Sequence, residues 1–212
     1  MLAKVRQVMS WLNVNMIKLS TIGAFTCFFP YCLTITSYSY LEQKFTKGKN
    51  LPMEATTIKA MTWTTLQLVK TWDGNNYYAL VGSDQNSDPY VGDTLITESL
   101  PILCIKKDNL PKPDFVVSHL TGGGAARATW SGGYIGLTSP VQGITLTSRD
   151  IANSICRETF GEGFRMAEFH DGEGPSAAWD FWGKLLNPNL TLTDRFWVAI
   201  SDQAANPWSH LL

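Results

Sequence analysis

The residues best suited to chemistry are Glu168, His170 and Asp171, in the run Ala167-Glu-Phe-His-Asp-Gly. In an extended segment Glu168 and His170 project from one face, close enough to share a metal ion or a proton. The chemistry would be metal-assisted hydrolysis or general acid–base catalysis. A His-Asp-Ser triad built on His170 is a third form of it, although no G-x-S-x-G elbow accompanies it. The chain holds 3 histidines, and His119 and His210 stand in no recognisable ligand spacing. A hydrogen-bonded structural cluster beside a turn is the favoured reading. No catalytic residue, metal ligand or cofactor is assigned.

Other residue groups invite chemistry more weakly. Asp84, Asn86, Asp88 and Asp93 are oxygen donors in the loop SDQNSDPYVGDT. Their spacing departs from the D-x-[DN]-x-[DN]-G calcium loop, and a solvated turn rich in Asx residues fits better. Gly122-Gly123-Gly124 has the composition of an anion cradle but belongs to no phosphate-binding pattern, so a flexible turn is expected. Trp179, Trp182 and Trp197 are spaced as core residues. Trp208 follows Asn206-Pro207 in a loop and is the ligand-binding candidate.

These side chains need elements to hold them. Thr147 and Asp150 stand at capping-box spacing, with Ile151, Ala152, Ile155, Cys156 and Phe160 recurring behind them at helical spacing and Gly161 closing the run. This predicts a helix of about three turns with Cys156 on its buried face. A second helix is expected from Pro175, with Ala178, Trp179, Trp182, Leu185 and Leu186 as its apolar stripe and Asn187-Pro188-Asn189 as its stop. From Arg195 the period becomes two: Phe196, Val198 and Ile200 on one face, Trp197, Ala199 and Ser201 on the other. That is a strand covered on both faces. Upstream, WTTLQLVKTW, then Asp73-Gly74-Asn75-Asn76, then YYALVG reads as a hairpin. LPILCIKK is a further apolar stretch, and the Gly- and Pro-rich segment from Leu110 to Gly143 reads as turns joining short strands such as YIGLT.

The run Tyr134-Ile-Gly-Leu, then TSRDIANSIC, FGEGFRMAEF, an expected helix and FWVAISD resembles the first half of a C-type-lectin-like domain. Ala152 and Cys156 match that family's helix pattern, Met166 its buried aliphatic position, and Trp197 to Asp202 its W-I-G-L-x-D strand. The resemblance covers about residues 134–202 and implies an α+β fold of short, mostly antiparallel strands with two helices, lectin-like in its C-terminal part. The Glu-Pro-Asn or Gln-Pro-Asp and Trp-Asn-Asp segments of the calcium-dependent sugar binders do not occur before Leu212. No cysteine follows Cys156 to close the family's long-range bridge. Calcium-dependent sugar binding is therefore not implied.

With 212 residues, 44% of them hydrophobic, 17% charged and a net charge of -1, the chain has a folded protein's composition and no electrostatic bias toward nucleic acid. The uncharged gap from Leu19 to Leu41 contains LSTIGAFTCFFPYCLTI. Lys18 precedes it and Ser37-Tyr38-Ser39 offers a small-x-small cleavage site, so a signal peptide is expected, with Met16 an alternative start. An uncleaved membrane anchor over residues 19–41 is the second reading, and a buried helix the third. Removal of this run takes Cys27 and Cys32 with it and leaves Cys104 and Cys156, which in an exported chain most simply form one disulfide. Two buried thiols are the alternative. Asn189-Leu190-Thr191 fits a glycosylation acceptor.

The expected organisation is a signal peptide or anchor over 1–39, a linker over 40–52, a β-rich region over 53–133 and an incomplete lectin-like region over 134–212. The expected function is that of an exported or cell-surface, non-enzymatic binding or structural protein with a protein or glycan partner, or one that self-assembles. The alternative is an exported hydrolase or metal-dependent enzyme centred on Glu168, His170 and Asp171.

Overall fold

A computed structural model describes residues 57–187, 190–192 and 194–211. The expected leader or anchor, the linker, Cys27, Cys32 and the acceptor Asn189 lie outside the described residues. The chain divides into units 1–49 and 50–212, and the second is described here. Among the described residues no helix is long and apolar enough to cross a membrane.

The expected hairpin forms. β2 (Thr62–Lys70) and β3 (Tyr77–Gly82) pair antiparallel. Asp73 accepts from Asn75 N–H in the turn between them, an Asx arrangement that orders the tip. β6 (Leu103–Lys107) and β9 (Thr129–Leu137) supply LPILCIKK and YIGLT, also antiparallel. With β11 (Arg165–Met166), β12 (Asp180–Leu185) and β13 (Arg195–Trp197) they make a seven-stranded sheet of order β11-β6-β9-β12-β3-β2-β13. β9 and β12 are its parallel pair. Strands from both of the expected 53–133 and 134–212 regions therefore share one sheet. Short two-stranded ribbons decorate it: β1 (Lys59–Ala60) with β4 (Thr94–Leu95), β5 (Ser99–Leu100) with β10 (Val141–Gln142), and β7 (His119–Leu120) with β8 (Ala126–Arg127). The Gly122 to Gly124 run is the turn of the last ribbon, where Gly124 N–H donates to Thr121 O.

The sheet curls until its edges meet. Beyond β11, Ala199 N–H donates to Ala167 O and Phe169 N–H to Ala199 O, which joins the β11 edge to the chain leaving β13. Closure of this kind leaves few unpaired edge groups and creates an inside. Side chains sort accordingly with period two. Met61, Trp63, Val81, Leu103, Ile105, Ile135, Phe181, Leu185, Phe196, Val198 and Ile200 fill the interior. The alternate positions Ile102, Cys104, Trp197 and Ala199 face outward beneath the helix, while Tyr78, Leu80, Trp130 and Trp182 face outward beneath the 110–117 segment. The expected two-faced burial of residues 196–200 is thus present, although ladder pairing ends at Trp197.

The helix α1 spans Arg149–Phe160. Its cap is Ser148 rather than Thr147, with Ser148 Oγ accepting from Ile151 N–H at 3.2 Å. Ala152 and Cys156 are buried, Ile155 and Phe160 pack at the margin, and Ile151 is exposed, contrary to the predicted stripe. Gly136 on β9 lets the Phe160 ring close, since a Cβ there would lie 2.8 Å from it. Cys104 and Cys156 form a disulfide with Cα atoms 5.6 Å apart, tying β6 to α1.

The fold-class expectation needs correction. The protein is mostly β, 37% strand against 12% helical, and among the described residues α1 is the one α-helix. The segment expected as a second helix from Pro175 is β12, preceded by Trp179 at φ +75°. Phe181 and Leu185 point to the interior and Trp182 outward. A central strand buried on both faces shows no alternation of polarity, so Ala178, Trp179, Trp182, Leu185 and Leu186 matched a helical stripe by coincidence of spacing.

Candidate functional site

The seam where the sheet closes gathers the first set of candidates. Glu168 pairs alongside Ala199, two residues before Ser201. Ser201 Oγ–H donates to Glu168 Oε1, and His170 N–H donates to Glu168 Oε2 at 3.1 Å. His170 Nδ1 lies 2.9 Å from Ala177 O, an acceptor, so this nitrogen carries the proton. His170 Nε2 faces Asp202 Oδ2 at 3.4 Å. Desolvation opposes charging of the ring. The Ala177 carbonyl and the Glu168 and Asp202 carboxylates outweigh it and hold the His170 pKa above the usual histidine value.

Asp171 does not join this group. It is buried, accepts two N–H bonds from the Arg165 guanidinium, and accepts Glu168 N–H at 2.7 Å. Lys107 Nζ stands 3.6 Å away. Burial would lower the Arg165 pKa, but the bidentate bond to Asp171 and its charge raise it. Asp171 thus fixes the 165–171 turn. Of the predicted trio, the structure unites Glu168 and His170 and sets Asp171 apart.

The seam therefore has limited chemistry. The Ser201 hydroxyl is donated to a carboxylate, and both imidazole nitrogens face acceptors, so a serine–histidine relay is not assembled. Among the described residues no three His, Cys, Asp or Glu side chains converge to hold a metal ion. The acidic loop behaves likewise. Asp84 accepts from Asn86 N–H and pairs with Arg195, Asp88 accepts from Tyr90 and Val91 N–H, and Asp93 accepts from Thr62 and Asp88 N–H. These are turn and anchoring bonds.

Beside the seam lies a cleft of about 550 Å³, lined by Arg149, Ser201, Gln203, Trp208 and Ser209, with Ala199, Ile200, Ala204 and Asn206 completing its wall. Its size falls in the range of small-ligand sites. Buried Asn206 organises one wall: its Oδ1 accepts from Ile200 N–H at 2.8 Å, and its Nδ2 donates to Ile200 O at 2.8 Å and Gln203 O at 3.3 Å. Met61 N–H donates to Ala205 O, and Ala205 N–H to Pro89 O, pinning the same loop to the sheet. Trp208, the sequence-derived candidate, is half-buried, leans on the hydrophobic cluster beneath α1, and lines the cleft.

Sequence reasoning missed Arg149, Ser201, Asp202 and Gln203 at these sites. Arg149 carried one usable signal, a cation in the first turn of a helix, where the dipole disfavours positive charge. Ser201 and Asp202 carried none, because their partners lie 33 and 32 residues away and meet them only through sheet closure.

No family model matches the chain, and no curated protein or solved structure is significantly similar to it.

Proposed function

We propose that the chain is a non-enzymatic binding protein, exported or held at a cell surface, whose cleft at Trp208 receives a sugar unit of a glycan partner. The observation that carries this reading is the half-buried Trp208 lining a cleft of about 550 Å³ together with the polar residues Ser201, Gln203 and Ser209. An aromatic face with a few placed polar groups is the usual makeup of a site for a small amphipathic ligand. The loop bearing them is fixed by Asn206 before any ligand arrives, which lowers the ordering cost of binding. The Cys104–Cys156 bridge favours an oxidising compartment.

A glycan array probed with the full chain, followed by calorimetric titration of the best oligosaccharide, tests the proposal. Saturable binding weakened about tenfold or more by Trp208→Ala, in a variant whose melting shows it folded, is expected. An array without specific binding would end the proposal.

A further inference from the structure

We infer that the sugar taken by the cleft is an acidic one, its carboxylate paired with the guanidinium of Arg149; this rests on the glycan reading and narrows it. Among the described residues that line the cleft, Arg149 alone carries a charge, the others being Ala199, Ile200, Ser201 and the uncharged 203–209 residues. Arg149 is half-buried, and among the described residues no carboxylate or other acceptor bonds it.

Among the described residues, each of the other half-buried arginines has an acceptor. Arg127 bonds Asp180, Arg165 bonds Asp171, and Arg195 bonds Asp84. Among the described residues a guanidinium taken partly out of water is matched to an anion, with Arg149, which faces a cleft, as the exception. Its position adds to the contrast, because it opens α1, where the helix dipole disfavours a cation and intrahelical pairing offers no relief. The carboxylate bound to the lining residue Ser201, that of Glu168, is engaged by the Ser201 hydroxyl and by His170 N–H.

A carboxylate answers this geometry better than a neutral group. It accepts two parallel N–H bonds from the guanidinium fork, and the bond is charge-assisted. A ring lying against Trp208 would leave its hydroxyls to Ser201, Gln203 and Ser209. A uronic or sialic acid unit offers the ring, the hydroxyls and the carboxylate together.

The test titrates the full chain with oligosaccharides ending in glucuronic or sialic acid and with their neutral parents. The expected result is that at least one acidic oligosaccharide binds tenfold or more tightly than its neutral parent. Arg149→Gln should erase that preference in a variant whose melting shows it folded, and Arg149→Lys should restore part of it. Equal binding of acidic and neutral members, insensitive to Arg149→Gln, would overturn the carboxylate inference and leave the glycan reading in place. Binding of neither set, with the chain folded, would overturn both.

Discussion

His170 is held with both ring nitrogens against oxygen, Ala177 O on one side and Asp202 on the other, and this favours the imidazolium. Its folded pKa is therefore raised above the ordinary 6.5. A proton bound more tightly by the folded state contributes stability that is complete below about pH 6.5 and is lost as pH rises through the raised folded value. The side chain is 42% exposed, so solvent screening keeps the slope shallow. Melting measured from pH 5.5 to pH 8.5 should show stability declining through that window, and His170→Gln should flatten the decline. A wild-type curve already flat there would mean that the seam does not hold the proton. The lowered pKa values of Asp84 and Asp88 act on the far acid side, below their ordinary 3.8, and do not overlap this window.

Among the elements, β12 carries the most information because it sits at the centre of the sheet, parallel to β9 and antiparallel to β3. Gly183 on β12 faces Ile135 of β9, and a Cβ built there would lie 2.7 Å from the Ile135 side chain. Gly183→Ala should therefore cost about 1–3 kcal/mol by overpacking. Ile135→Val in the same chain should recover part of the loss, a coupling that urea denaturation of the double-mutant cycle would detect. Additive losses would show that the strand shifts rather than Ile135. In the sequence Phe-Trp-Gly is poor helix-forming material, but glycine is uncommon in strands too, so it opposed the helical spacing of the large residues without pointing to a strand. Where strands are covered on one face or bounded by Asx and Gly turns, as in the β2–β3 hairpin, pattern and structure agree. The candidate site divides the same way. Glu168, His170 and Trp208 were legible from local composition, whereas Ser201 and Asp202 join them only because the sheet closes, a long-range event without local signature.

At the scale of the whole molecule, the closed sheet and the helix are separate layers joined by one covalent link. The sheet interior is a continuous cluster around Trp63, Phe181 and Phe196, while α1 rests on a second cluster outside it, through Ala152 and Cys156. Asn153 Oδ1 accepting Met166 N–H at 3.0 Å adds one polar tie to β11. The bridge from Cys104 to Cys156 spans 52 positions, and a loop of that size constrains the unfolded chain by about 4 kcal/mol. Cys104→Ala with Cys156→Ala should lower stability by about that amount, and the loss should be uneven. Amides of α1 should exchange much faster in the variant, and those of β9, hydrogen-bonded on both sides within the sheet, only slightly faster. Because Arg149 opens α1 and Trp208 leans on the cluster beneath it, a loosened helix also disorders both flanks of the cleft. Ligand affinity should then fall in the double variant under conditions where β9 remains protected. Uniform acceleration of exchange across α1 and β9 would mean instead that helix and sheet unfold as one unit, with the bridge stabilising the whole rather than docking the helix.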